Sequence, residues 1–147
     1  MGPRGRCPRF LHQCGRRIYL VDKISNRLYI AIVVEVLGTD EFGEWYGALD
    51  DKHRASVRRV VDLLEQQGLT LGFPYSCDLK GSRYPLRELR TKSSGRYLRV
   101  FYAFDPMRNA VLLLGGDKTG RSKFYEQHIP KAEKVWEDYL ADTGQRT

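Results

Sequence analysis

The sequence predicts an α+β domain of order β-α-α-β-β-β-α, a curved antiparallel sheet packed by a helical hairpin and a C-terminal helix. Three observations predict it. A β-branched run leads into two consecutive stretches of helical period. Three strand-like segments follow, separated by links of hairpin length. The chain then closes on a long apolar stripe at helical spacing.

The first strand is read from Ile30 to Leu37, IAIVVEVL. Gly38 and Thr39 then open a helix, with Thr39 as N-cap and Asp40 and Glu41 set against the positive end of the helix dipole. Phe42, Trp45, Tyr46 and Leu49 recur at the spacing of one buried helix face, and Val57, Val60, Val61 and Leu64 repeat it after the Asp50-Asp51 break. Gly68 ends the second helix. Leu69 to Ser82, with Gly72, Pro74 and Gly81, reads as a loop.

Residues 84–92, 96–105 and 109–116 are then three strands, joined through Ser93-Ser94-Gly95 and Pro106-Met107-Arg108-Asn109, so they form an antiparallel meander. Tyr125, His128, Ile129, Ala132, Val135, Trp136, Tyr139 and Leu140 lie on one face of the last helix. Pro130 either starts that helix as its first residue or kinks it.

Residues 1–28 are rich in Arg, Gly and Pro without a sustained period and are expected to be a peripheral extension to a domain spanning 29–143, with 18–22 as a candidate short strand. No apolar run approaches the roughly 20 residues of a membrane span, and Asp22, Lys23 and Arg27 interrupt any leader-like core behind the basic start. A cytoplasmic protein without a membrane association is expected. Cys7, Cys14 and Cys77 show no CxxC spacing and are read as reduced thiols; with His12 and His53 they offer no metal-ligand spacing, so neither metal nor cofactor is expected.

The net charge of +7 is unevenly placed. Residues 1–30 hold seven Lys or Arg against Asp22, leaving the other 117 residues nearly neutral. Within that remainder, Lys80 to Arg99 carries seven basic residues against Glu88, while Asp40 to Glu65 is net acidic. A basic stripe on an otherwise balanced domain points to a polyanionic partner.

Period-two alternation puts Leu98, Val100, Tyr102 and Phe104 on one face of the middle strand and Tyr97, Arg99, Phe101 and Ala103 on the other. With the first set under the helices, Arg99 looks out between two aromatic rings. Arg90 shares a face with Leu86 and Glu88, and Arg87 with Leu89, so only one of the two joins Arg99 unless the strand bulges. Guanidiniums interleaved with rings on a concave sheet grip phosphates while the rings stack on unpaired bases, which makes Arg87, Arg90, Lys92 and Arg96 candidate RNA-binding residues. The competing reading pairs such arginines with acids on the helices; it suits any one of them better than the set.

Gly115 to His128 brings glycines before Lys118 and Thr119, but the GxxxxGK[ST] spacing of a nucleotide loop is absent. The remaining reading is a turn that sets Lys118, Arg121, Tyr125 and His128 beside the sheet, with Arg121 and Tyr125 on one side if the stretch is helical.

The blocks LRELRTKSSGRYLRVFYAFDP and LLLGGDKTGRSKFYEQHIPKAEKVWEDYL resemble the phage-derived Gp49-like, HigB-type branch of the RelE/ParE/HigB toxins. The resemblance runs from about Val33 to Leu140 and implies the RelE-like fold. It further implies a ribosome-dependent endoribonuclease that cuts mRNA, inhibits translation and is held inactive by a helix-turn-helix, HigA-like antitoxin in a hetero-oligomer. By that resemblance Arg99, Lys118, Arg121 and Tyr125 occupy the positions that carry the chemistry, Arg87 and Arg90 belong to the matching basic strand, and Glu88 departs from relatives that carry lysine there.

The reaction needs a base to take the ribose 2′-hydroxyl proton, cations to stabilise the transition state, and an acid at the leaving 5′-oxygen. Arg99, Arg90 and Lys118 are expected to supply charge. Tyr125 is expected to stack on the base, or to act as general base if nearby cations lower its pKa. His128 is a candidate acid, against its reading as a packed helix residue, and Arg121 is a further donor. Two alternatives stand beside the nuclease: a ParE-like gyrase inhibitor on the same fold, and a non-catalytic nucleic-acid-binding module worked by the basic N-terminus.

Overall fold

A computed structural model describes residues 17–22, 24–25, 27–32 and 34–145. Residues 1–16, which hold most of the expected extension together with Cys7, His12 and Cys14, lie outside the described residues.

The β-branched run that reads as one strand serves two sheets. β1 (Arg17–Asp22) and β2 (Arg27–Ile32) pair antiparallel as a two-stranded ribbon, Arg17 opposite Ile32, whereas β3 (Val36–Gly38) enters a separate five-stranded sheet. Val34 lies between them. Its N–H donates to the Glu65 carbonyl at 3.2 Å. Its side chain fills the space that a Cβ on Gly68 would need, 2.5 Å away, at a glycine with φ +55°.

The five-stranded sheet has the order β3-β7-β6-β5-β4, with β4 (Ser76–Asp78), β5 (Arg87–Ser93), β6 (Arg96–Phe104) and β7 (Ala110–Asp117). The expected meander β5-β6-β7 is present, but the sheet is mixed: β3 runs parallel to β7, Val36 opposite Ala110. A parallel neighbour requires a long crossover, and everything between β3 and β7 supplies it. β4 lies inside the stretch read as a loop. Its three residues are too few to show a period, and it is held by tertiary pairing, Ser76 opposite Leu89 and Arg90 N–H to the Tyr75 carbonyl at 2.8 Å.

α1 (Asp40–Ala48) and α2 (Asp51–Gln67) form the expected hairpin. The Thr39 hydroxyl accepts from Phe42 N–H at 3.2 Å and donates to the Leu113 carbonyl at 2.6 Å, so one cap both starts α1 and ties it to β7. Asp50 caps α2 by accepting from His53 N–H at 2.8 Å. α3 (Phe124–Thr143) contains Pro130 in its interior, not at its start. No described helix is long and apolar enough to cross a membrane.

Both faces of the sheet are buried. Phe42, Val57, Val61 and Leu64 of the hairpin close over Leu98, Val100, Tyr102 and Leu112. α3 closes over Phe101, Ala103, Val111 and Leu113 with Phe124, Ala132 and Trp136. A register irregularity lies at Phe101/Tyr102, where Phe101 opposes Leu114 and Tyr102 opposes Leu112. The Gly115-Gly116 pair lies in β7, as the strand read over 109–116 has it. Trp45 lies 2.2 Å from where a Cβ on Gly115 would sit, and Phe124 and His128 lie 2.8 and 2.9 Å from one on Gly116. Two glycines therefore let a ring approach the strand from each side.

Candidate active site and nucleic-acid interface

Register selects the residues of the site. Arg90 is opposite Arg99, Lys92 opposite Tyr97 and Glu88 opposite Phe101, and directly opposed residues share a face. That is the face α3 covers. Its cover begins at Phe101 and leaves the Arg99 end as a cleft of about 460 Å³, lined by Arg90, Tyr97, Arg99, Lys118, Thr119 and Arg121 among others.

A turn after β7 holds the far wall. Asp117 accepts from Thr119 N–H at 2.9 Å, and Arg121 N–H donates to the Lys118 carbonyl at 3.0 Å. Burial would raise the Asp117 carboxyl, but its bonds from Thr119 and the nearby Arg96 hold it below the ordinary value. The turn is tied to β6 twice, by Lys118 N–H to the Tyr97 carbonyl and by Tyr97 N–H to Thr119 Oγ1, both 2.8 Å. α3 starts only at Phe124, so Arg121 and Tyr125 are not neighbours on one helix; Arg121 reaches the cleft from the turn.

Beside Arg90 and Arg99 lies a buried acid. Glu88 Oε1 is 3.9 Å from Arg90 Nε and Oε2 is 4.0 Å from Arg99 Nε, with the Glu88 and Arg99 side chains 8 % and 6 % exposed. These distances give Coulomb attraction without hydrogen bonds. The carboxylate accepts instead from the Tyr125 hydroxyl, at 2.8 and 3.1 Å to its two oxygens. Arg99 Nη1 donates to the Leu98 carbonyl at 3.0 Å, while its buried Nε has no hydrogen-bond partner. A desolvated donor without an acceptor is costly unless a ligand supplies one.

Burial pushes the Tyr125 phenol above its ordinary value; Arg99 pulls against this and Glu88 adds to it. The lowering on which a base role for Tyr125 was conditional is therefore absent, because desolvation and a neighbouring carboxylate outweigh the guanidinium. Its ring also has company: Lys118 Nζ lies 5.1 Å from its centroid, and Phe101 lies parallel at 6.2 Å. His128 stacks on Phe124 at 4.1 Å, with Nδ1 2.8 Å from the Phe124 carbonyl. Burial lowers its pKa, so at neutral pH the ring is uncharged and its Nδ1–H donates to that carbonyl. This environment suits packing better than proton donation.

Arg87 and Arg96 are not brought to the cleft. Arg87 is opposite Tyr102 on the hairpin face, where it bonds Tyr102 Oη at 3.2 Å, Ser76 Oγ at 3.3 Å and Asp78. Arg96, on the same face by alternation, pairs with Asp117 at 3.0 Å. Lys92 stays on the cleft side, its Nζ 5.3 Å from the Tyr97 centroid. Glu88 is the residue that sequence reasoning left without a role; its signal was that it is the lone acid in the basic stripe. Cys77, a free half-buried thiol, lies 3.7 Å from Arg90 Nη1.

The family model for "Phage derived protein Gp49-like (DUF891)" matches residues 44–137, more than half of the chain. The chain is 43 % identical over 99 residues to "Putative toxin HigB3" of Mycobacterium tuberculosis, an alignment covering 66 % of this chain and 85 % of that one. It is 33 % identical over 119 residues to "Putative toxin HigB2" of the same organism, covering 76 % of this chain and 59 % of that longer relative. No solved structure matches. An α+β fold of this topology, carrying a cationic cleft beside its last helix, thus defines a small basic domain of one class. The chain belongs to the phage-derived Gp49-like family, on its HigB-type branch.

Proposed function

We propose that the chain is the toxin of a toxin–antitoxin pair and that it cuts mRNA on the ribosome. The observation that carries the reading is Glu88: a buried carboxylate, held by Tyr125, within 4.0 Å of Arg90 and Arg99, two of the residues that line the cleft. Glu88 takes the proton of the ribose 2′-hydroxyl as that oxygen attacks the adjacent phosphorus. Arg99, through the Nε that otherwise lacks a partner, and Arg90 stabilise the charge that accumulates on the phosphorane oxygens. Lys118, in the cleft lining, and the Tyr125 hydroxyl, whose ring lies 5.1 Å from Lys118 Nζ, are the donors for the departing 5′-oxygen, and Arg121 binds a flanking phosphate. Neutralisation follows if a helix-turn-helix antitoxin lays an acidic segment over these cations. Acting on ribosomes, such a protein works in the cytoplasm.

The test is to induce wild type, Glu88→Gln and Arg99→Ala side by side and map mRNA ends on translated messages. New ends are expected in wild type, with loss of about 10²–10⁴-fold in cleavage rate for Glu88→Gln, the range of a general base. Growth arrest by wild type without new mRNA ends would leave the gyrase-inhibiting reading in its place.

A further inference from the structure

We infer that Tyr97 is a stacking shelf for one unpaired nucleobase at the mouth of the cation cleft, with Lys92 beside it for that nucleotide's phosphate; the inference rests on the nucleolytic reading above. Tyr97 is 44 % exposed although it lies in a strand whose next residues are buried. The other strongly exposed large apolar side chains of the described residues, Ile24, Leu69, Phe73, Tyr75 and Met107, lie outside the residues that line the cleft.

Tyr97 is also the strand residue that the cationic turn grips. Its carbonyl accepts from Lys118 N–H and its N–H donates to Thr119 Oγ1, so the strand that carries the ring is bonded directly to the turn that carries Lys118 and Arg121. Asp117 fixes Thr119 in turn. A base that stacks there therefore meets a surface already ordered relative to its phosphates, which lowers the entropic cost of binding.

Tyr125, the ring the sequence favours for stacking, is occupied. Its hydroxyl is bound to Glu88 and its ring lies against Lys118 and Phe101. Tyr97 is 44 % exposed, and the exposed Lys92 has its Nζ 5.3 Å from the ring centroid. Every base presents a π face, so such a shelf selects single strands over duplex without reading a letter.

The test compares two chains that attack by a 2′-hydroxyl cannot cut: a 2′-O-methyl pentaadenylate and the same backbone without bases. Each is titrated into the purified protein by calorimetry at low salt. Wild type is expected to bind the base-bearing chain about ten-fold more tightly, as for one stacked base. Tyr97→Ala should bind both alike at the weaker affinity, and Tyr97→Phe should keep the preference. Arg121→Ala should weaken both chains together while the preference survives. A wild type without preference, or a Tyr97→Ala variant that retains it, overturns the shelf. Binding of neither chain overturns the shelf and the cationic cleft together. The two readings fail separately: a Tyr97-dependent preference in a protein that produces no new mRNA ends keeps the shelf and removes the nuclease. An unchanged thermal midpoint in Tyr97→Ala excludes unfolding as the cause.

Discussion

Glu88 and Arg99 are buried together, yet neither hydrogen-bonds the other; the carboxylate is satisfied by Tyr125 and the guanidinium in part by a backbone carbonyl. A fully satisfied ion pair would have little reason to accept a phosphate, whereas a donor left open gains by doing so. His128 carries a different expectation. Its folded pKa is depressed by burial below 6.5, so the protein in its native state resists the proton that the unfolded chain accepts. The stability tied to this ring is complete above the unfolded value and is lost as pH falls through the folded one. His128→Gln should therefore lose less thermal stability than wild type between pH 7 and pH 5, measured as the difference in thermal midpoint. An equal loss would show that His128 titrates as an exposed histidine.

At the level of elements, β7 is built for close approach from both sides. Gly115 admits Trp45 of α1, and Gly116 admits Phe124 and His128 of α3. Gly115→Ala places a methyl 2.2 Å from the indole, which must move or push α1 off the strand. A loss of about 1–3 kcal/mol is expected for such overpacking, read from the urea midpoint at constant slope. The sequence puts the two glycines at the end of the strand read over 109–116 but not the rings beside them, because a glycine pair says only that side chains are unwelcome and not which rings replace them. The same ambiguity affects β4, whose three residues carry no period, and the split of the β-branched run. In contrast α1, α2 and β6 were legible from repeated apolar spacing, and β5 and β7 from the hairpin-length links that join them to β6.

Over the whole molecule, charge is sorted by topology. Arg83 pairs with Glu133 and Glu137 of α3, Arg87 with Asp78 and Arg96 with Asp117, which leaves Arg90, Arg99, Lys118 and Arg121 facing the cleft. If each of these meets a phosphate, binding of a single strand falls with salt in proportion to their number. Arg121→Ala should make the slope of log affinity against log salt shallower by about 0.7, whereas Arg87→Ala should leave the slope unchanged. The ribbon β1–β2 pairs with itself and contributes no strand to the five-stranded sheet. A chain beginning at Val34 is accordingly expected to unfold in one cooperative transition and, if the proposed nuclease reading holds, to cut mRNA as the full chain does. Loss of cooperativity by calorimetry would make residues before Val34 part of the folding unit.

The sequence by itself determined the class of fold, the two helices of the hairpin, the meander, the apolar face of α3 and the stripe of basic residues, because these rest on period and composition, which are local. It also placed Arg90 on the face of Glu88, since alternation along a strand is local too. Only the tertiary structure decided which cations meet. Strand register set Arg90 against Arg99, the turn after β7 brought Lys118 and Arg121 to them, and pairing with Asp78 and Asp117 withdrew Arg87 and Arg96. Burial then gave Glu88 and Tyr125 their partnership across 37 positions of chain, a separation over which no local pattern carries information.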